Sequence, residues 1–168
     1  EVLFVLRREP DEVLLINRAP YPAGTYRLPT GGVETAESPQ EAATREIYEE
    51  TGYRVAAPGL LGVVDYTLHL PTPRPGEVEW PDEGASFVSY VFMAEVDPAL
   101  EPKPARPGEI DGYRWVPVQA LDDVARQLRA LPDDWASWGR FRATSYEFIR
   151  CGIMSILKTS RSQLGAGR

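Results

Sequence analysis

Two continuous apolar runs open the chain, residues 2–6 and 13–17, with Glu9-Pro10-Asp11-Glu12 between them. Unbroken apolar runs joined by a turn sequence predict a β-hairpin whose strands are buried. Residues 60–70 and 87–96 are rich in β-branched and aromatic residues and predict two more strands, with a short one at 113–116. A helix is predicted over 39–51. Ser38 is placed as N-cap, Pro39 at the first helical position, Glu41 three residues after the cap, and Gly52 where a C-terminal cap glycine belongs. An amphipathic helix follows at 118–131, and 133–157 is expected to be mostly helical. Residues 19–30, 71–85 and 98–108 carry the prolines and glycines of extended loops.

The order strands, helix, strands, helices predicts an α/β (or α+β) sandwich, a mixed sheet between helices. A length of 168 residues fits one domain, expected over 1–160, with a helical extension from about 133 and a flexible tail at 161–168. The loop 71–85 is longer than a connection needs, and loops of that length tend to be functional or mobile.

Composition narrows the function. With 43% hydrophobic and 26% charged residues, the chain can build a core. No apolar run approaches the length of a membrane helix. The net charge of −7 argues against stable binding to nucleic acid or to anionic membranes. One cysteine, Cys151, and one histidine, His69, exclude an intramolecular disulfide and Cys- or His-rich metal sites and suit a reducing, cytoplasmic compartment. The sequence begins at Glu1, and no export-signal pattern is expected in it. Cys151 is expected to be a buried helix residue, and His69 to be structural.

The chemistry concentrates in the first predicted helix. At 100° per residue, Glu46, Glu49 and Glu50 fall within an arc of about 100°, with Ala43 and Ile47 beside it to pack inward. Like charges at this spacing repel, and the negative helix C-terminus adds to the cost. Folding gives no reason for the arrangement, whereas a divalent cation with oxygen ligands, Mg²⁺ or Mn²⁺, does. Arg45 is positioned to hold a glutamate through a bidentate bond, and Glu37 is a candidate partner. Gly31 and Gly32 let backbone pass close to a metal or phosphate.

The segment reads Gly31, five residues, Glu37, seven residues, then Arg45-Glu46-Ile47-Tyr48-Glu49-Glu50-Thr51-Gly52-Tyr53. It resembles the Nudix box, G-x5-E-x7-R-E-U-x-E-E-x-G-U with U a bulky aliphatic residue. Every fixed letter is present, and Tyr53 departs from the last U. Leu28-Pro29-Thr30-Gly31-Gly32 resembles the family's lead-in, with Thr30 in place of a glycine. The resemblance implies the Nudix α/β/α sandwich and a metal-dependent hydrolase acting on a nucleoside diphosphate linked to another moiety, with water attacking a phosphorus. It implies that Glu46, Glu49 and Glu50, with the Gly31 carbonyl and Glu37 in support, hold Mg²⁺ or Mn²⁺. It implies that Arg45 orients the cluster, and that one of the glutamates or Glu109 takes the proton of the water. Homodimers are frequent in the family.

Outside the box, Arg18 and Arg27 flank the preceding loop and are candidates to touch phosphate. Trp80, Tyr66 and Phe87, in or beside the loop 71–85, are candidates to stack on a base, with anchoring of that loop preferred for Phe87. Trp135, Trp138 and Phe141 are expected to pack a C-terminal helix on the core or to form a dimer surface. Three other readings stand beside the hydrolase: a non-hydrolytic Nudix-like nucleotide-binding or regulatory module, an isomerase of isoprenoid diphosphates, and an inert acidic domain. The first usually lacks box glutamates that are present here. The second needs a cysteine at the site, and Cys151 is far from the box in sequence.

Overall fold

The computed structural model describes residues 1–68, 85–106 and 108–165. The strands are β1 (Val2–Arg8), β2 (Glu12–Asn17), β3 (Thr30–Gly31), β4 (Gly59–Leu68), β5 (Ala85–Glu95) and β6 (Gly112–Pro117). The helices are α1 (Pro39–Thr51), α2 (Leu121–Arg129), α3 (Ala136–Ala143) and α4 (Tyr146–Gly165). His69, Trp80 and most of the loop expected at 71–85 lie outside the described residues.

The sheet runs β4-β5-β1-β2-β6, with β3 also paired to β1. The β1–β5 pair is parallel and the other pairs are antiparallel, so the sheet is mixed. The expected hairpin is present, with Arg8 opposite Glu12 and Arg7 opposite Val13. Alternation along β1 explains its unbroken apolar run, because both faces are covered. Leu3 and Val5 point to the layer of α2, α3 and α4, where Leu121, Leu128, Ala143, Tyr146 and Ile149 complete the main core. Val2, Phe4 and Leu6 point to the other face, where α1 contributes Ala42, Ala43 and Ile47. The α/β/α sandwich expected from the sequence is the observed architecture.

The loop expected over 19–30 is partly a strand. Ile16 and Arg27 form an isolated bridge, and Thr30 and Gly31 pair with Leu3 and Val2. Backbone pairing with the central strand therefore fixes the start of the box.

The C-terminal helical region is divided. A 3-10 turn at Val118–Ala120 precedes α2, another at Asp133–Trp135 precedes α3, and the chain bends at Thr144–Ser145 before α4. The bend lets both Ala143 and Tyr146 reach the core. A Cβ on Gly139 would come 2.1 Å from the Leu128 carbonyl oxygen, so glycine lets α3 lie against the end of α2. Residues 161–165, expected in a flexible tail, continue α4 as helix. Cys151, expected to be buried, is exposed on that helix. Trp135 and Trp138 pack around Tyr21, with ring centroids 5.9 and 4.8 Å away, and Phe141 joins Tyr66 and Phe87 at 5.4 and 5.2 Å. These aromatics thus dock α3 onto the loop after β2 and onto the β4–β5 pair.

Candidate active site

Helix α1 has the ends its sequence predicts. The Ser38 hydroxyl accepts the Glu41 N–H, the Glu41 carboxylate accepts the Ser38 N–H at 2.8 Å, and Gly52 closes the helix at φ 74°. The last carbonyls of α1 are capped from a distance. Ala105 N–H donates to Glu49 O at 2.9 Å, Lys103 N–H to Thr51 O at 2.8 Å, and the Tyr113 hydroxyl to Glu50 O at 2.5 Å. The proline-rich loop before β6 is thereby seated on the end of the helix. A Cβ on Gly52 would come 2.3 Å from the Lys103 carbonyl oxygen, so this close approach requires glycine as well as the left-handed backbone.

Arg45 is the hub of the carboxylate face. Its Nε and Nη2 donate to the two oxygens of Glu37, both at 2.8 Å. Its Nη1 donates to Glu46 at 2.8 Å and Glu49 at 3.2 Å, and Nη2 also donates to the Gly32 carbonyl at 2.9 Å. All five N–H donors of the guanidinium are thus engaged. The hydrogen bonds from Arg45, with a backbone bond from Glu34, pull the Glu37 carboxyl down to about 2. Glu46 lies against backbone: a Cβ on Gly31 would come 2.0 Å from its Cδ. The absence of a side chain at Gly31 is what lets this glutamate lie across β3.

The other two carboxylates find different arginines. Glu49 Oε1 lies 2.6 Å from Arg106 Nη2. Glu50 is fully buried and ion-pairs with Arg18, whose Nη2 also lies 3.8 Å from Glu109 Oε2. Burial pushes the Glu50 carboxyl up to about 7, against the charges of Arg18 and Arg27, which favour its ionised form.

Some of these groups border a cleft of about 630 Å³. Arg18, Arg27, Arg106, Glu46 and Glu109 line it, together with Gly31, Gly32, Phe87 and Arg142. Arg27 is on its wall, and its Nε donates to the Tyr21 hydroxyl at 2.7 Å and its Nη1 to the Leu28 carbonyl at 2.7 Å and Thr30 Oγ1 at 3.1 Å. It is 3% exposed and holds the lead-in to the box in shape. Trp80 is outside the described residues.

Sequence reasoning did not single out Arg106, Arg142, Tyr21 or Tyr113. Arg106 had one signal, a lone arginine in a proline-rich loop. Arg142, held by Glu1 at 2.7 Å, had none.

Among the described residues, no three His, Cys, Asp or Glu side chains converge as a ready cation cage. Each carboxylate is instead paired with an arginine: Arg45 takes Glu46 and Glu49, Arg106 also takes Glu49, and Arg18 takes Glu50. The donors nevertheless suit a hard divalent ion. They are oxygens on one helix face, and Oε2 of Glu50 is buried with no partner among the described residues.

The family model of the NUDIX domain matches residues 1–138. A MutT-like protein of Streptomyces ambofaciens is 43% identical over 132 residues, 75% of this chain and 79% of that protein. The RNA pyrophosphohydrolase of Bartonella henselae is 29% identical, over 59% of this chain and 60% of its own length. Mouse diphosphoinositol polyphosphate phosphohydrolase 3-alpha is 46% identical, over 54% of this chain and 46% of its own. The chain thus spans only 60% and 46% of the length of the latter two relatives. Among solved structures, the MutT protein of Methanosarcina mazei shares the fold with TM-score 0.55 and 21% identity, covering 95% of this chain and 92% of that one. A box that runs from β3 through α1, a sandwich built around it and these matches lead to one conclusion: the chain belongs to the NUDIX family.

Proposed function

We propose that the protein is a divalent-metal-dependent diphosphohydrolase that cleaves a nucleoside diphosphate linked to another moiety. The observation that carries the proposal is the shared cleft: Glu46 of α1, Glu109 and a set of arginines, two of them ion-paired to Glu49 and Glu50, border one space large enough for a nucleotide. Carboxylates alone suit a cation and arginines alone suit an anion, and a metal–diphosphate complex needs both.

Glu46, Glu49 and Glu50 are the residues that would hold Mg²⁺ or Mn²⁺, with the Gly31 carbonyl, and with Glu37 acting through Arg45. Bound there, the ion would neutralise phosphate charge and lower the pKa of a coordinated water. Arg45 keeps Glu46 and Glu49 oriented. Arg18 and Arg106 stand at the cleft with donors for phosphate oxygens. Glu109, at the cleft and half-exposed, is the candidate to accept the proton of the attacking water.

A panel of nucleoside diphosphate derivatives, assayed with Mg²⁺ or Mn²⁺ and with chelator, tests this reading. Chelator-sensitive release of a phosphomonoester from one class supports it and names the substrate. No turnover of any compound, with metal binding intact, favours a binding module.

A further inference from the structure

We infer that Arg18 and Arg106 are exchange cations: they neutralise Glu50 and Glu49 while the site is empty, and pass to the substrate's phosphate oxygens when a divalent ion takes those carboxylates. The inference rests on the metal-dependent reading of this site and adds a partner switch to it.

Three observations carry it. First, the cations around α1 differ in how tightly they are committed. Arg45 has all five donors engaged by Glu37, Glu46, Glu49 and Gly32. Arg106 reaches Glu49 through Nη2, and Arg18 reaches Glu50 and Glu109 through Nη2. A guanidinium presents five donors in a fork, so both keep further N–H groups for another anion. Secondly, both line the cleft, and the Arg106 side chain is 54% exposed. Thirdly, Arg106 is on a loop anchored by its backbone, since Ala105 N–H and Arg106 N–H both donate to Glu49 O, at 2.9 and 3.3 Å. The side chain is therefore free to turn without the loop leaving α1.

Charge makes the switch compulsory. A divalent ion on Glu49 and Glu50 adds two positive charges beside two guanidiniums and removes their counter-ions. The guanidiniums then repel the ion unless an anion arrives. A diphosphate supplies that charge, and planar guanidiniums match phosphate oxygens in bidentate fashion. Cation binding and phosphate binding are thereby coupled, each strengthening the other by the same factor.

The test is equilibrium binding of Mn²⁺ alone, read from the free-ion EPR signal, for the wild type, R106Q and R106K. The titration is then repeated with saturating inorganic phosphate. The wild type is expected to bind Mn²⁺ at least about fivefold more tightly with phosphate present, the lower end of typical couplings between sites. R106Q, relieved of the competing cation, should bind Mn²⁺ alone more tightly than the wild type and lose most of the gain from phosphate. R106K should keep both properties. Equal or weaker Mn²⁺ binding by R106Q, or an unchanged phosphate effect, overturns the exchange while leaving the metal site standing. Absence of Mn²⁺ binding by the wild type overturns the functional reading itself.

Discussion

Arg45 and Glu37 meet fork to fork, Nε to Oε1 and Nη2 to Oε2, each at 2.8 Å, although Glu37 precedes the helix that carries Arg45. The pair ties the loop after β3 to the middle of α1. It leaves Nη1 of the same guanidinium to hold Glu46 and Glu49. Lysine keeps the charge and loses the fork. R45K is expected to retain the fold and lose about 10–100-fold in turnover, as removal of a ligand-orienting partner typically does. Steady-state kinetics on the substrate identified by the panel, beside a melting curve, checks this.

Glu49→Gln and Glu50→Gln should each leave the fold intact and lower turnover by orders of magnitude, because each removes a charged oxygen that the cation needs. Wild-type rates in either purified variant would remove that residue from the metal set.

Gly31→Ala places a methyl group where Glu46 lies, 2.0 Å from its Cδ. Glu46 must move. The expected result is a loss of turnover of at least about tenfold, out of proportion to a small fall in Tm.

Glu50 and Glu37 give opposite pH signatures. The Glu50 carboxyl rises from about 4.5 to about 7 through burial, so its contribution is complete below pH 4.5 and is lost as pH climbs through 7. Glu37 falls to about 2 through its bonds with Arg45, so its contribution is present above pH 4.5 and is lost as pH drops toward 2. In chelator, the Tm advantage of the wild type over E50Q should shrink from pH 5 to pH 8. The advantage over E37Q should shrink from pH 5 to pH 2.5. A gap that stays constant across its window contradicts the corresponding assignment.

Tyr146, 1% exposed on α4, accepts the Leu28 N–H through its hydroxyl oxygen at 2.7 Å. Tyr146→Phe leaves that N–H buried without an acceptor, at a cost of about 1–3 kcal/mol in urea unfolding. The same bond supports the lead-in to Thr30 and Gly31, so catalytic efficiency should fall with stability.

Much of the site was legible because it is local. The Ser38–Glu41 capping box, the Gly52 cap and the inward-facing Ala43 and Ile47 follow from helical periodicity over a dozen residues. So does the common face of Glu46 and Glu49. The layered fold was legible for a related reason: β1 is apolar at every position from Val2 to Leu6, which marks a strand covered on both faces. Burial is less legible: Cys151 belongs to an apolar-looking stretch and is exposed on α4, because which face of that helix meets the core depends on residues far away in the chain.

Local sequence is enough to place the long strands, the helix that bears the carboxylates, and the spacing of Glu37, Arg45, Glu46, Glu49 and Glu50. Each of these depends on residues within a few turns of one another, where backbone geometry alone sets which side chains share a face. Which arginines neutralise those carboxylates is a matter of the folded chain. Arg18 comes from the end of β2 and Arg106 from a loop more than fifty residues beyond α1, and the folded sheet brings both to one cleft. No periodicity connects residues so far apart in the chain, and burial of Glu50 exists only once α1 has closed on the sheet.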